Sequence, residues 1–172
     1  MEKFLKLLDP RKVVMQQPGS IAQQAHAARE EFPRMVRRSN LHYWRLGDPI
    51  LTEGTRFLIG LAVTFSLYDL RFADIVNEAL SKPPNNAKRV DVFDILDCQT
   101  WDELNGYFGE TPIPFLGWGT HPIVGIWQDG VFQRKLIGHE GMDHVLRDLG
   151  ASVSVEEIVT SVNPPAPGLF ED

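Results

Sequence analysis

Few residues in this chain have the type and spacing to do chemistry. Cys98, in "LDCQTW", is the sole cysteine among 172 residues. A thiol just ahead of a helix start feels the helix dipole, which favours thiolate, so Cys98 is the candidate for a one-cysteine redox or glutathione-linked step. Alone it closes no intramolecular disulfide and builds no cysteine-based zinc site. Its plainer reading is a half-buried residue at a strand end. "HEGMDH" (139–144) sets two histidines among acids, yet a zinc-protease helix needs them four apart, and His139 and His144 are five apart. Glu140 and Asp143 there suit a helix start. Asp69, in "YDLRF", stands where a helix opens. With His121 it would form an Asp–His pair fit for acid–base work, with no nucleophile beside it in the sequence. The plain alternative is Asp69 as a helix cap and His121 as a loop residue.

A second constellation is electrostatic. Arg34, Arg37, Arg38 and Arg45 gather near Tyr43 and Trp44 in "RMVRRSNLHYWRLGDPILTEG". The net charge is −6, but residues 1–56 carry ten basic against six acidic side chains, and residues 57–172 carry seven against seventeen. A basic preface on an acidic body argues against a general nucleic-acid binder. It allows local contact with an acidic surface, and the arginine cluster could meet anionic lipid headgroups, a nucleic acid or an acidic protein partner. The competing reading is a solvated face with Trp44 tucked against the body. No phosphate-cradling glycine loop, Gly-x-Ser-x-Gly or ordered metal-ligand set occurs, so neither cofactor nor metal is expected.

These residues need elements to hold them. The length suits one domain with some decoration. The longest apolar run, "FLIGLAVTFSLY" (57–68), is too short to span a bilayer, and the N-terminus lacks a signal-peptide core, so the expected setting is a reducing, cytoplasmic one, peripheral to a membrane if near one. Ser20 after Pro18-Gly19 would cap a helix that Pro33 ends or kinks. "RFLIGLAVTFS" reads as a strand buried on both faces. "YDLRFADIVNEALSK" places Phe72, Ala73, Val76, Ala79 and Leu80 on one helical stripe, stopped by Pro83-Pro84. "RVDVFDILD" is another buried strand, and Thr100 with Glu103 would box a short helix. Asp129-Gly130 predicts a hairpin between "IVGIW" and "VFQRKLI". "EGMDHVLRDLG" is a last amphipathic helix, "SVEEIVTSV" adds a turn or two, and "NPPAPGLFED" is a Pro-rich tail. The order is β-α-β-α-β-β-α, a parallel pair followed by an antiparallel hairpin.

That order, over roughly residues 56–150, resembles the thioredoxin-like superfamily. There a cis-proline begins the third strand, a glycine sits in the next hairpin turn, and another ends the fourth strand. Pro122, Gly130 and Gly138 stand in those roles. The resemblance implies an α/β/α sandwich with a mixed central sheet and a cis His121-Pro122 bond. It divides the chain into a basic extension (1–55), a thioredoxin-like domain (56–150) and a C-terminal tail (151–172). The family's Trp-Cys-x-x-Cys stretch corresponds to "YDLRF", with Tyr68, Asp69 and Phe72 at the tryptophan and the two cysteine positions. Neither Asp nor Phe can attack or resolve a disulfide.

The expectation is therefore a redox-inactive member of the superfamily that works by binding. It would be an accessory subunit or assembly chaperone of a larger complex, such as a membrane-associated respiratory or photosynthetic one. The contact residues would be Arg34, Arg37, Arg38, Tyr43, Trp44, Arg45, Tyr68, Asp69, Trp118, His121 and Pro122. The rival expectation is a thiol-dependent or glutathione-linked enzyme using Cys98.

Overall fold

A computed structural model describes residue 4 and residues 21–45, 47–49, 53–63, 66–98, 101–106, 108–109 and 120–162. Ser20, Thr100, Trp118 and the tail beyond residue 162 lie outside the described residues, and the expectations made for them with them.

A strand that is apolar without alternation is stable only where both its faces are covered. Strand β2 (Thr55–Leu61) meets that condition at the centre of a five-stranded sheet. On one side it pairs in parallel with β3 (Arg89–Asp94), which in turn pairs in parallel with β1 (His42–Tyr43). On the other side it pairs antiparallel with β4 (Ile123–Gln128), and β4 pairs antiparallel with β5 (Val131–Ile137). The order across the sheet is β1-β3-β2-β4-β5. Asp129 and Gly130, at φ of 49° and 79°, make the two-residue turn of the expected hairpin, where the left-handed backbone favours Asp-Gly.

The helices are α1 (Ile21–Arg37), α2 (Leu67–Leu80), the short α3 (Trp101–Gly106), α4 (His139–Asp148) and α5 (Val155–Val162). Side-chain alternation along the strands divides the interior in two. Phe57, Ile59 and Leu61 face a large cluster with Phe32, Met35 and Val36 of α1 and the buried faces of α2, α4 and α5. All five residues of the expected α2 stripe lie in it. Leu58, Phe93, Ile123 and Trp127 face a smaller cluster with Trp44, Phe108 and Ile95. The fold is thus an α/β arrangement around a mixed sheet. Among the described residues no helix is long and apolar enough to cross a membrane.

Two features refine the expected arrangement. Helix α1 runs through Pro33 to Arg37, so of the two expected effects the proline does not end the helix. Proline removes one intrahelical hydrogen bond, and the burial of Phe32, Met35 and Val36 around it holds the last turn in place. Nor does packing change at residue 55. Strand β1 extends the sheet beyond β3, and Phe4 is fully buried, its ring 5.8 Å from that of Phe32. The Phe4 backbone N–H donates to the buried Asp74 carboxylate at 2.6 Å. Without these residues β3 would be an open edge and Asp74 a buried charge lacking this donor.

Candidate functional site at the carboxyl ends of the parallel strands

The site is assembled where β2 and β3 end and the antiparallel β4 begins. Gly60 of β2 pairs with Ile123, which puts His121 and Pro122 beside the end of β2. Ser66 is the N-cap of α2, and its Oγ accepts the Asp69 N–H at 3.2 Å while its hydroxyl donates to Asp69 Oδ1 at 3.0 Å. Asp69 is therefore the third residue of the first turn, not the cap itself. The Ser-x-x-Asp spacing that fixes this is legible in residues 66–69 and is the signal the sequence reading passed over.

The Asp69 carboxylate is fully buried. Its Oδ2 accepts the Ala62 N–H at 2.7 Å, and Oδ1 lies 3.1 Å from His121 Nδ1. A buried carboxylate accepts, so Nδ1 carries the proton and Nε2 is the ring's other edge. The His121 side chain is 12% exposed, and the His121-Pro122 peptide is cis. The structure thus brings together Asp69 and His121 from elements 52 positions apart. It does not complete a hydrolytic triad. In a triad the imidazole lies between hydroxyl and carboxylate, whereas here the carboxylate lies between Ser66 and His121, so the hydroxyl bonds the carboxylate and not the imidazole.

Beside this pair, at the end of β3, stands a cluster the sequence reading missed. Arg29 of α1 reaches Asp97 Oδ1 at 2.8 Å, the Leu96 carbonyl at 3.0 Å and Asp94 Oδ2 at 3.3 Å. The Tyr43 hydroxyl donates to Asp97 Oδ2 at 2.7 Å, and burial together with Asp97 pushes its pKa up. Asp94 is 2% exposed, and burial pushes its pKa up to about 6 despite Arg29. Arg29 Nε and Asp94 Oδ2 are close but not aligned for a hydrogen bond, while Asp94 Oδ1 accepts the Leu96 N–H at 3.0 Å. No sequence pattern links residue 29 to residues 94 and 97, so only the docked helix reveals them.

Cys98 adjoins this acidic cluster. Burial first, then the charges of Glu103, Asp97 and Asp94, push its thiol up to about 12. That environment disfavours thiolate, the reverse of what the expected helix start would provide.

The expected basic and aromatic contact residues divide. Arg34, Arg37, Arg38 and Arg45 are exposed, with Arg34 3.5 Å from Glu31. Trp44 is only 4% exposed. Its ring meets Phe93 edge-on at 5.3 Å and its Nε1–H donates to the Asp48 carbonyl, so it is a core residue and not a surface anchor. Tyr43 is engaged with Asp97, and Tyr68 packs partly buried against the large core cluster. Pro122 is buried, and Trp118 is outside the described residues. No family model, curated protein or solved structure matches this chain.

Proposed function

We propose that this chain is a redox-inactive thioredoxin-like protein that works by binding a protein partner, as an accessory subunit or assembly chaperone of a larger complex. The observation that carries the reading is the Asp69–His121 pair. It occupies the start of the helix after the first core strand, where a member of that superfamily would carry its dithiol, and it ties that helix to the loop ahead of β4. A buried, multiply bonded carboxylate there makes a structural joint, and it offers no electrons to exchange.

The element order β2-α2-β3-α3-β4-β5-α4 supports the same reading, as do Pro122 ahead of β4, Gly130 in the hairpin and Gly138 before α4. The raised Cys98 thiol speaks against the rival single-thiol enzyme. Partner contact would then use the rim around Tyr68 and His121 and the exposed Arg34, Arg37, Arg38 and Arg45, which suit an acidic protein surface.

Affinity purification of the tagged full chain from its native cells, in mild detergent, tests this. Stoichiometric recovery of a multi-subunit complex is the outcome expected of a subunit, and substoichiometric precursor proteins that of a chaperone. Recovery of the chain alone, with Arg34, Arg37 and Arg38 variants indistinguishable from wild type, would sink the proposal.

A further inference from the structure

The second face of the sheet is polar towards the amino ends of its parallel strands. Read across the registers, Arg89, Arg56, Trp127 and Phe132 stand side by side on β3, β2, β4 and β5. The neighbouring row is His42, Asp91, Leu58, Gly125 and Lys135. Alternation puts both rows on the side of Leu58, Phe93 and Trp127. Two arginines are therefore direct cross-strand neighbours, where like charges repel, and Asp91 is the only carboxylate in either row.

That carboxylate is already taken. Arg89 grips it with Nε 3.1 Å from both oxygens and Nη2 at 3.0 Å from Oδ1. Arg56 comes second. Its Nη1 stays 3.8 Å from Asp91 Oδ2 and is buried with no hydrogen-bond acceptor among the described residues, and its Nε makes a long 3.4 Å bond to the Glu53 carbonyl. The Arg56 side chain is 11% exposed, so its charge is largely desolvated with half of an anion to answer it. Lys135, at the far end of the second row, likewise has a buried Nζ with no acceptor among the described residues. A guanidinium nitrogen buried without an acceptor, as Arg56 Nη1 is, costs free energy that an oxyanion beside it would recover. The rim is open, since His42 is exposed and Arg89 is 35% exposed.

We propose that Arg56 and Arg89, with His42 at the rim, form a binding site for an oxyanion, a phosphate or a carboxylate, on the second face of the sheet. The anion would supply the second negative charge that Asp91 cannot, bridging the two guanidinium groups. His42 would then act as a reporter. Burial, with the charge of Arg89, now holds its pKa below the ordinary histidine value, and an anion bound between it and the arginines would push that value back up. The site shares no residue with the Asp69–His121 pair and stands whether or not that pair serves partner binding.

The test uses the full chain and two probes, inorganic phosphate and acetate, each titrated at constant ionic strength against chloride. The His42 ring and the Arg56 and Arg89 Nε–H resonances are followed by NMR. Saturable shifts at all three and an upward move of the His42 midpoint are expected. Arg56→Gln should weaken binding roughly tenfold or more, the value of one charge-assisted hydrogen bond. Saturation by phosphate alone assigns a phosphate-bearing ligand, and saturation by both probes assigns a site that also accepts an acidic side chain. Absence of saturable shifts with either probe overturns the proposal, as does equal binding by a folded Arg56→Gln variant. If that variant does not fold, Arg89→Gln is titrated in its place, followed at the His42 ring and the remaining Arg56 Nε–H, and binding equal to wild type then overturns the proposal.

Discussion

Nδ1 of His121 lies 3.1 Å from Oδ1 of Asp69, and this contact joins the first turn of α2 to the loop ahead of β4. The same carboxylate holds the Ala62 N–H at the exit of β2 and the Ser66 hydroxyl at the helix cap. One buried side chain thus fixes three pieces of backbone relative to each other.

Removing it should be costly. Asp69→Ala strands the Ala62 N–H and weakens the Ser66 cap, and a loss of about 3 kcal/mol is expected. Asp69→Asn keeps the shape and one acceptor and should lose less. Urea denaturation of both variants checks the order. An alanine variant as stable as wild type would mean that the pair is not a joint.

Asp94 makes stability depend on pH in an unusual direction. Its carboxyl is raised to about 6 in the folded chain, above the ordinary carboxylate value of 3.8. Between about pH 4 and 6 the folded state therefore holds a proton that the unfolded state has lost. This group's contribution to stability is present at low pH and falls as pH rises through that window, by up to about 3 kcal/mol. Asp94→Asn should abolish the fall. The difference between variant and wild type from pH 4 to pH 7.5 isolates it from groups of opposite sign. Asp129, lowered by Gln128 and by the Gly54 N–H, and Glu157, lowered by Ser154, are two such groups.

The Cys98 thiol should be inert. A value raised from 9.0 to about 12 leaves roughly a thousandfold less thiolate at neutral pH. Iodoacetamide should label the native protein far more slowly than the urea-unfolded one. Equal rates would restore Cys98 as a reactive thiol.

Trp44→Ala should act on stability before it acts on any partner. The indole is buried against Phe93 and bonded to the Asp48 carbonyl, so truncation opens a cavity and is expected to cost about 3–5 kcal/mol. A variant with unchanged thermal midpoint would place Trp44 on the surface after all.

Gly125→Ala should also destabilise, because a Cβ there would stand 2.6 Å from Trp127 Cη2 and 3.0 Å from Phe108 Cδ1. Overpacking of this kind costs about 1–3 kcal/mol, read as a lower thermal midpoint.

What the sequence determined by itself was local. Apolar runs without alternation marked β2 and β3 as strands covered on both faces. The helical stripe through Phe72, Ala73, Val76, Ala79 and Leu80 marked the buried side of α2, and Asp129-Gly130 marked the hairpin. Each rests on a period or a turn geometry that a few adjacent residues specify. The candidate site was half legible in the same way, since Asp69 and His121 could be named as a pair without any proof that they meet.

Tertiary structure decided what distance in the chain conceals. Whether Trp44 faces solvent or core, whether Arg29 finds Asp94 and Asp97, and whether Arg56 shares its one carboxylate with Arg89 all depend on which strand lies beside which and on where α1 docks. Burial and charge pairing are properties of the packed sheet. A basic segment read along the chain as an extension with one helix therefore supplies, in three dimensions, an edge strand as well, and its helix places Arg29 on the chain's own acids.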